Sequence, residues 1–521
     1  MKRECLRLLA NARSGDHLAR QVVAEHYLKG TAGFSKHLKL GIEYLSHPTV
    51  SGLRETSLLI SRSLSLTELV DLRRLSDLRS AAALSDSSAL LKLAAWEAAS
   101  DPSGVNVLPL LQRADGQNAP HAAAALRAWT ASDSWIPAAR LLSSLGHTGL
   151  IGAAPDVALR ATRSAIKARD VEGTLHALHC SSLLAQAPDQ KLARALCDSI
   201  KLAGELRQDW AVKLEPRYVQ AALELLVSEG DVLATFILGR ALCRLEWDHI
   251  TSDRLVPDVN LRRGIAFLMR AADAGYRDAW MDLYNLHSQS RSSVGNASVA
   301  LFCVEKAAAQ GVVAAQRRLG VETLSRANSI RGLELGISWL HRASEQGDKP
   351  AGQLLESLVL RPEGDDRDAE AGIRLLHDRY PWLAVRLKVA RHFGLTRSEA
   401  LAFCPIAGSR PWGLVVDRNP MLAQPNLSSS RAVPATTTEA RRSLAEASAM
   451  FSGKTIDDIL SHQGALTQRN SELRRVLRRL CIDENLFFPK ISASAALAMK
   501  IGTKWAHRNR RLIVTALSSR D

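Results

Sequence analysis

Aromatic residues make up only 5% of this 521-residue chain, which is dominated by Ala, Leu, Arg and Ser. That scarcity disfavours an all-β fold, which draws on aromatic and β-branched residues. Cysteine is sparse too: seven residues, scattered and never as Cys-x-x-Cys. The pattern argues against a zinc ribbon or a disulfide scaffold and predicts reduced thiols in a cytoplasmic protein. No uninterrupted apolar run reaches the roughly 18 residues of a membrane span. The opening Met1-Lys2-Arg3-Glu4-Cys5-Leu6 is charged and lacks the apolar core of a signal peptide. Gly-x-Ser-x-Gly, His-Glu-x-x-His and Gly-x-Gly-x-x-Gly are all missing, so the motifs indicate no catalytic residue, no resident metal and no cofactor.

What is present is ample for a core. Hydrophobic residues reach 46% and charged residues 23%, which excludes wholesale disorder. The length suits three or four domains or one long repeat array. The net charge is +15, and residues 441–521 alone carry +8 of it. A basic C-terminal stretch suits nucleic acid, an anionic surface or an acidic protein, or simply a solvated exterior.

The strongest pattern is internal repetition. Gly275, Gly311 and Gly347 stand 36 residues apart. Four residues before them lie Ala271, Ala307 and Ala343; four after lie Ala279, Ala315 and Ala351; eight after lie Leu283, Leu319 and Leu355. Leu268, Val304 and Leu340 form a further column, as do Gly264, Ala300 and Gly336. A fourth copy starts at Gly230 with Ala234, Leu238 and Gly239, and its longer spacing implies an inserted loop around 249–258. The small and apolar columns predict a helix ended by a left-handed glycine, then a second helix returning antiparallel along an Ala-lined seam. A single pair cannot bury its own apolar face, so neighbours must stack.

Lys306-Ala307-Ala308-Ala309-Gln310-Gly311, followed by Ala315 and Leu319-Gly320, resembles a Sel1-like repeat, a relative of the tetratricopeptide repeat. Gly15-Asp16 with Ala19 and Val23, and Gly41-Ile42-Glu43-Tyr44-Leu45, are similar to the same pattern. The likeness is good over 230–360, fair over 8–52 and poor over 60–229, where Ser80 to Ala99 and Ala119 to Trp129 still read as helix. The family's usual Gly-x-Gly between the helices is missing after Leu283 and Leu319. The resemblance implies an adaptor that assembles partners, not a catalyst.

The expected fold is mainly α: an α-solenoid of antiparallel helix pairs followed by a smaller basic helical C-terminal module. Its expected parts are an N-terminal Sel1-like repeat (1–60), degenerate helical repeats (61–229), Sel1-like repeats (230–360), terminal helices with a helix-turn-helix-like segment (361–404), a Pro/Ser-rich linker (405–435) and the basic module (436–521). The linker reading rests on Pro405, Pro411, Pro420, Pro425 and Pro434 with Ser428-Ser429-Ser430, although Gly413–Val416 has the composition of a short strand.

Two C-terminal features suggest anionic partners. Ala390, Gly394, Thr396 and Glu399 are spaced as in a helix-turn-helix, with Thr396 and Glu399 as a capping box. Arg397 and Ser398 would then meet a DNA groove first, although a terminal repeat pair would share the spacing. In Ser471–Leu480, Leu473, Val476, Leu477 and Leu480 share one helix face while Arg474, Arg475, Arg478 and Arg479 occupy the other. Arg508, Arg510 and Arg511, near Trp505, extend the basic character. Such arginines suit phosphates or carboxylates, or a solvated back.

Other echoes are weaker. Ser452-Gly453-Lys454-Thr455 lacks the upstream glycine of a phosphate-binding loop, and Thr455 fits better as a helix cap with Asp458. His176, His179 and Cys180 share a helical side without a fourth ligand. The reading is an interaction scaffold whose concave face holds a protein or peptide partner. The alternative is a nucleic-acid-associated regulator acting through 389–403 and the basic module, and an enzyme of unrecognised type is a third.

Overall fold

A computed structural model describes the chain except residues 1–2, 132–135, 186, 212, 248, 290–292, 417–429, 454–465, 491–501 and 519–521. The protein is mainly α and consists of two compact units, Met1–Tyr276 and Arg277–Asp521. The division falls inside the segment read as one run of repeats, 230–360.

The first unit begins with α1 (Arg3–Arg13), α2 (His17–Lys29), α3 (Leu38–Leu45), α4 (Arg54–Ser63), α5 (Leu66–Asp71), α6 (Leu75–Ala83), α7 (Ser87–Ser100) and α8 (Val107–Asp115). It continues with α9 (Ala122–Thr130), α10 (Pro137–Gly146), α11 (Ala154–Ala168), α12 (Val171–Leu184), α13 (Gln190–Leu206), α14 (Pro216–Ser228), α15 (Val232–Leu242) and α16 (Leu261–Asp273). The second unit holds α17 (Arg277–Ser288), α18 (Ala297–Ala309), α19 (Val313–Arg326), α20 (Ile330–Glu345), α21 (Lys349–Glu356), α22 (Asp366–His377), α23 (Pro381–Phe393), α24 (Arg397–Ala402) and α25 (Pro405–Gly408). Strands β1 (Ser409–Arg410), β2 (Gly413–Val416) and β3 (Arg431–Pro434) follow, then α26 (Thr438–Phe451), α27 (Leu466–Arg479), α28 (Thr503–Arg508) and α29 (Arg510–Ser518).

The repeat columns have a local cause. Gly275, Gly311 and Gly347 have φ of +95°, +87° and +92°, and a Cβ on any of them would meet nothing within 4 Å. Backbone conformation, not space, demands glycine there. Each sits one residue past a helix C-cap. The next N–H reaches back to the alanine column: Tyr276 to the Ala271 carbonyl (3.0 Å), Val312 to Ala307 (3.0 Å) and Asp348 to Ala343 (3.2 Å). These are Schellman closures, which satisfy carbonyls that a helix end leaves orphaned. The following helix is capped wherever Asp comes next: Asp16, Asp231 and Asp348 accept from the N–H of Ala19, Ala234 and Ala351.

A second glycine pair sets how closely helices cross. A Cβ on Gly264 of α16 would lie 2.9 Å from the Gly239 carbonyl of α15. One on Gly336 of α20 would lie 2.6 Å from Leu324 Cγ and 3.0 Å from the Leu324 backbone N of α19. These crossings leave no room for a methyl group. Gly336→Val is therefore expected to cost about 1–3 kcal/mol by overpacking. Gly332→Ala in the same helix, whose added Cβ would find its nearest neighbour at 3.4 Å, should be neutral or mildly stabilising. Urea midpoints of the two variants, read by circular dichroism, check the difference.

Residues 61–229 depart from a neighbour-on-neighbour stack. Helix α7 packs against α4, α6, α8, α10, α11 and α12, and its residues from Ala89 to Ala99 are nearly all buried. A helix apolar all round is one surrounded on every side. Its Lys92, 2% exposed, donates to the carbonyls of Ser61 (2.5 Å), in the last turn of α4, and Leu64 (2.8 Å), its C-cap, and burial pulls its amine down to about 8. The helix expected from Ser80 to Ala99 is in fact two, broken where Ser85 takes φ +61° and Asp86 caps α7. The insertion expected near 249–258 appears as a Trp247–Ile250 bridge and a 3-10 turn at Ser252–Arg254.

The stretch read as a linker differs most from expectation. Its described residues form α25 and an antiparallel sheet in the order β1-β2-β3, with Leu414 opposite Val433 and Val416 opposite Arg431. Alternation does the rest. Leu414, Val416 and Val433 enter a core with α23, α26 and α27, while Val415, Ala432 and Trp412 enter another with α20, α21 and Trp505. Pro411 precedes β2 and Pro434 ends β3, four-residue strands buried on both faces, whereas Pro420 and Pro425 lie outside the described residues. Residues read as one basic module, 436–521, join both cores: α26 packs on α23, α27 on α24, and α28 and α29 on α19. Trp505 Nε1 donates to Ser357 Oγ at 3.1 Å.

Candidate interaction surfaces

The alanine and leucine columns lie inside, while the corner glycines Gly275 and Gly347 are exposed. Ala271, Ala279, Ala307, Ala315, Ala343 and Ala351 are at most 1% exposed, and Leu283, Leu319 and Leu355 are buried. They build the seams and leave contact to other positions. One such position escaped the sequence reading. Eight residues before the corner glycine stand Phe267 and Trp339, each half-buried under a cation: Arg263 lies 5.3 Å from the Phe267 ring centroid and Arg342 lies 4.7 Å from that of Trp339. Exposed Phe302 on α18 carries Lys306 at 5.4 Å. An aromatic at that column in two copies, Phe267 and Trp339, with Phe302 beside Cys303 in the copy between them, was the available signal. Inside the second unit, Tyr284 accepts from Arg318 (2.7 Å) and donates to Glu322 (3.2 Å), and burial raises its hydroxyl pKa.

The helix-turn-helix-like segment folds as spaced but is not free to read DNA. The capping box is present: the Thr396 N–H donates to Glu399 Oε2 (2.8 Å) and the Glu399 N–H to Thr396 Oγ1 (3.3 Å). Yet Glu399 through Ala402 are buried, and α24 is held from its carbonyl end by arginines. Arg386 donates to the carbonyls of Ala400 and Phe403, both at 2.9 Å, and Arg469 donates to Leu401 at 2.8 Å. A helix C-terminus attracts such cations. The Arg386 guanidinium also lies 4.9 Å from the Phe403 ring centroid and 5.4 Å from that of Phe451, and burial lowers its pKa to about 9. Arg431 donates to the Gly394 carbonyl (2.9 Å) and lies 3.5 Å from Glu399 Oε1. Arg397 pairs with Glu484 at 3.1 Å. A recognition helix must offer a free face to the groove. This six-residue helix offers only Arg397, already paired, and Ser398, so the reading of 389–403 as a DNA-binding element is corrected to a terminal helix corner.

The arginine stripe is where the pattern placed it. Leu473, Val476 and Leu477 are buried, and Arg474, Arg475, Arg478 and Arg479 are exposed, without an ion pair to any described residue. Arg469 on the same helix turns inward, which the sequence reading missed, although it stands four before Leu473 on the apolar face. Arg508, Arg510 and Arg511 are exposed on and beside α28 and α29, helices that pack on α19 rather than with α27 on α24.

The remaining motifs resolve as structure. His176 Nε2 meets the Ala98 carbonyl at 2.9 Å, burial lowers His179, and burial pushes the Cys180 thiol up to about 12. A protonated buried thiol is a poor ligand. Among the described residues no cluster of His, Cys, Asp and Glu has the arrangement of a metal site, and no helix is long and apolar enough to cross a membrane. Ser452 and Gly453 follow α26, whereas the cap expected at Thr455 with Asp458 lies outside the described residues.

No family model matches the chain, and no curated protein matches it. Among solved structures it is similar to a Sel1 repeat protein from Oxalobacter formigenes, at 19% identity and TM-score 0.22, over 69% of this chain and 91% of that one. It is also similar to a protective antigen present in uropathogenic Escherichia coli strains displaying an SLR fold, at 15% identity and TM-score 0.23, over 91% of this chain and 97% of that one.

Proposed function

We propose that this protein is an interaction scaffold, in which stacked helix pairs form a framework and protein partners dock on surfaces the framework does not use. The repeat faces carrying Phe302 and Trp339 suit a peptide or helix of a protein partner. The basic face of α27 suits an acidic segment of a protein. One contrast carries the reading. Arg386, Arg391, Arg431 and Arg469 point inward and are engaged by carbonyls or carboxylates, while Arg474, Arg475, Arg478 and Arg479 are exposed with no described partner. Guanidinium groups held out in this way are suited to bidentate capture of carboxylates.

The test is retention on immobilised poly-glutamate, with duplex DNA as the comparison. An Arg474/Arg475/Arg478/Arg479 quadruple Ala variant should bind poly-glutamate at least about 10-fold more weakly, a loss of about 1.4 kcal/mol or more. Its melting temperature should stay within about 2 °C of the parent, because exposed surface substitutions scarcely touch stability. If duplex DNA is held with a steep salt dependence while poly-glutamate is not, the nucleic-acid reading replaces this one.

A further inference from the structure

In the second unit, a cleft of about 700 Å³ opens among the loop 359–366, α22, α23 and the start of α26. Its volume lies within the range of small-molecule sites. Val359, Pro362 and Ile373 supply an apolar lining, and ionisable side chains line the cleft from three helices: Arg374 from α22, Lys388, Arg391 and His392 from α23, and Arg442 from α26.

These side chains fall into two groups. Arg391 and Lys388 are engaged. Arg391, its side chain 10% exposed, donates to Asp366 (2.6 Å), to the Gly364 carbonyl (2.7 Å) and to the Leu486 carbonyl. It fixes the loop that walls the cleft, so the cavity is formed before any ligand arrives. Lys388 is bonded to Glu446 at 2.6 Å. Arg374, Arg442 and His392 have no hydrogen bond or ion pair with a described residue. Glu370 and Glu439 also line the cleft, but neither closes an ion pair with the arginine on its own helix. The first turn of α26 adds the positive end of a 14-residue helix. His392 is held below the usual histidine range by burial and by Lys388 and Arg391, against the opposing pull of Asp366 and Glu439.

We propose that this cleft binds a small organic anion, an apolar body bearing one phosphate or carboxylate group, with the charge held by Arg374, Arg442 and His392 and the body resting on Val359, Pro362 and Ile373. Two unengaged guanidinium groups offer forked donors that match either anion. The apolar lining adds what an inorganic ion cannot use. A ligand held from α22, α23 and α26 together stabilises the second unit by mass action. The site is separate from the basic face of α27, and the proposal stands whether or not that face docks a protein.

The experiment is calorimetric titration of the full chain, at constant ionic strength, with phenyl phosphate, benzoate, inorganic phosphate and phenol. Phenyl phosphate or benzoate should bind with a Kd below about 1 mM, at least about 10-fold tighter than inorganic phosphate or phenol. Which of the two binds tighter identifies the charged group. Arg374→Gln and Arg442→Gln should each weaken that binding about 10-fold, and Arg474→Gln on α27 should not. As a readout independent of any variant, NMR titration of the unaltered chain should show the His392 imidazole pKa rising as the anion enters. The proposal is overturned if neither aromatic anion outbinds inorganic phosphate, if the Arg374/Arg442 double Gln variant binds as well as the parent, or if the His392 resonances do not move.

Discussion

Replacing Gly394 by alanine should cost about 3–5 kcal/mol and strip the second unit of most of its stability. Gly394 closes α23 at φ +55°, in the left-handed region, where a side chain costs roughly 1–2 kcal/mol. Space is the larger problem. An added Cβ would collide with the Leu360 carbonyl oxygen and lie 2.9 Å from the Leu360 N, both rigid backbone atoms. The chain at 360 or the end of α23 must move, and both belong to packed structure. The matched control is Gly352→Ala in α21, where the nearest atom is a Ser344 hydroxyl at 3.5 Å. That variant should match the parent or exceed it slightly. Urea denaturation followed by tryptophan fluorescence separates the two, and an equal midpoint for both would remove the argument.

Glu399→Ala is expected to lose a similar amount, about 3–5 kcal/mol, by a different route. Glu399 is 1% exposed, receives the Thr396 N–H and faces the Arg431 guanidinium. Its loss removes half of a capping box, worth about 1 kcal/mol. It also strips a counter-charge from a buried arginine, which is the costlier effect. Arg431 already has its pKa lowered by burial and sustained by Glu399, so the variant would leave it more strained still. The double variant Glu399→Ala/Arg431→Met should lose less than the sum of the two single changes, because the second removes the stranded charge. Strict additivity in a thermodynamic cycle would show that the pair does not interact.

Both sites lie at the corner between α23 and α24, and they show how far the chain could be read unaided. Ala390, Gly394, Thr396 and Glu399 marked a helix end, a corner and a capped restart, and each of those is present. What the same residues do next was not visible. Whether α24 faces a groove or a core depends on Arg386, Arg431 and Arg469, which reach it from 14 to 68 residues away. The stripe on α27 was readable because its phase is written within ten residues. The inward turn of Arg469 on the same helix was overlooked because charge outweighed phase in the reading. Strand β2 was legible in the composition of Gly413–Val416, but its partners β1 and β3 were hidden by prolines that signal breaks, although in β-structure they can equally mark where short strands begin and end.

The amino-acid order by itself determined the helix pairs, their glycine corners and their caps. A φ near +90°, a Schellman bond or a first-turn cap involves residues no more than about five apart, so the cause and its signature lie in one window. Tertiary structure alone decided the central burial of α7, the double-faced sheet, the attachment of α28 and α29 to the repeat helices, and which arginines remain in water. Those outcomes turn on desolvation, and a guanidinium enters a core only where carbonyls or carboxylates from distant segments meet it.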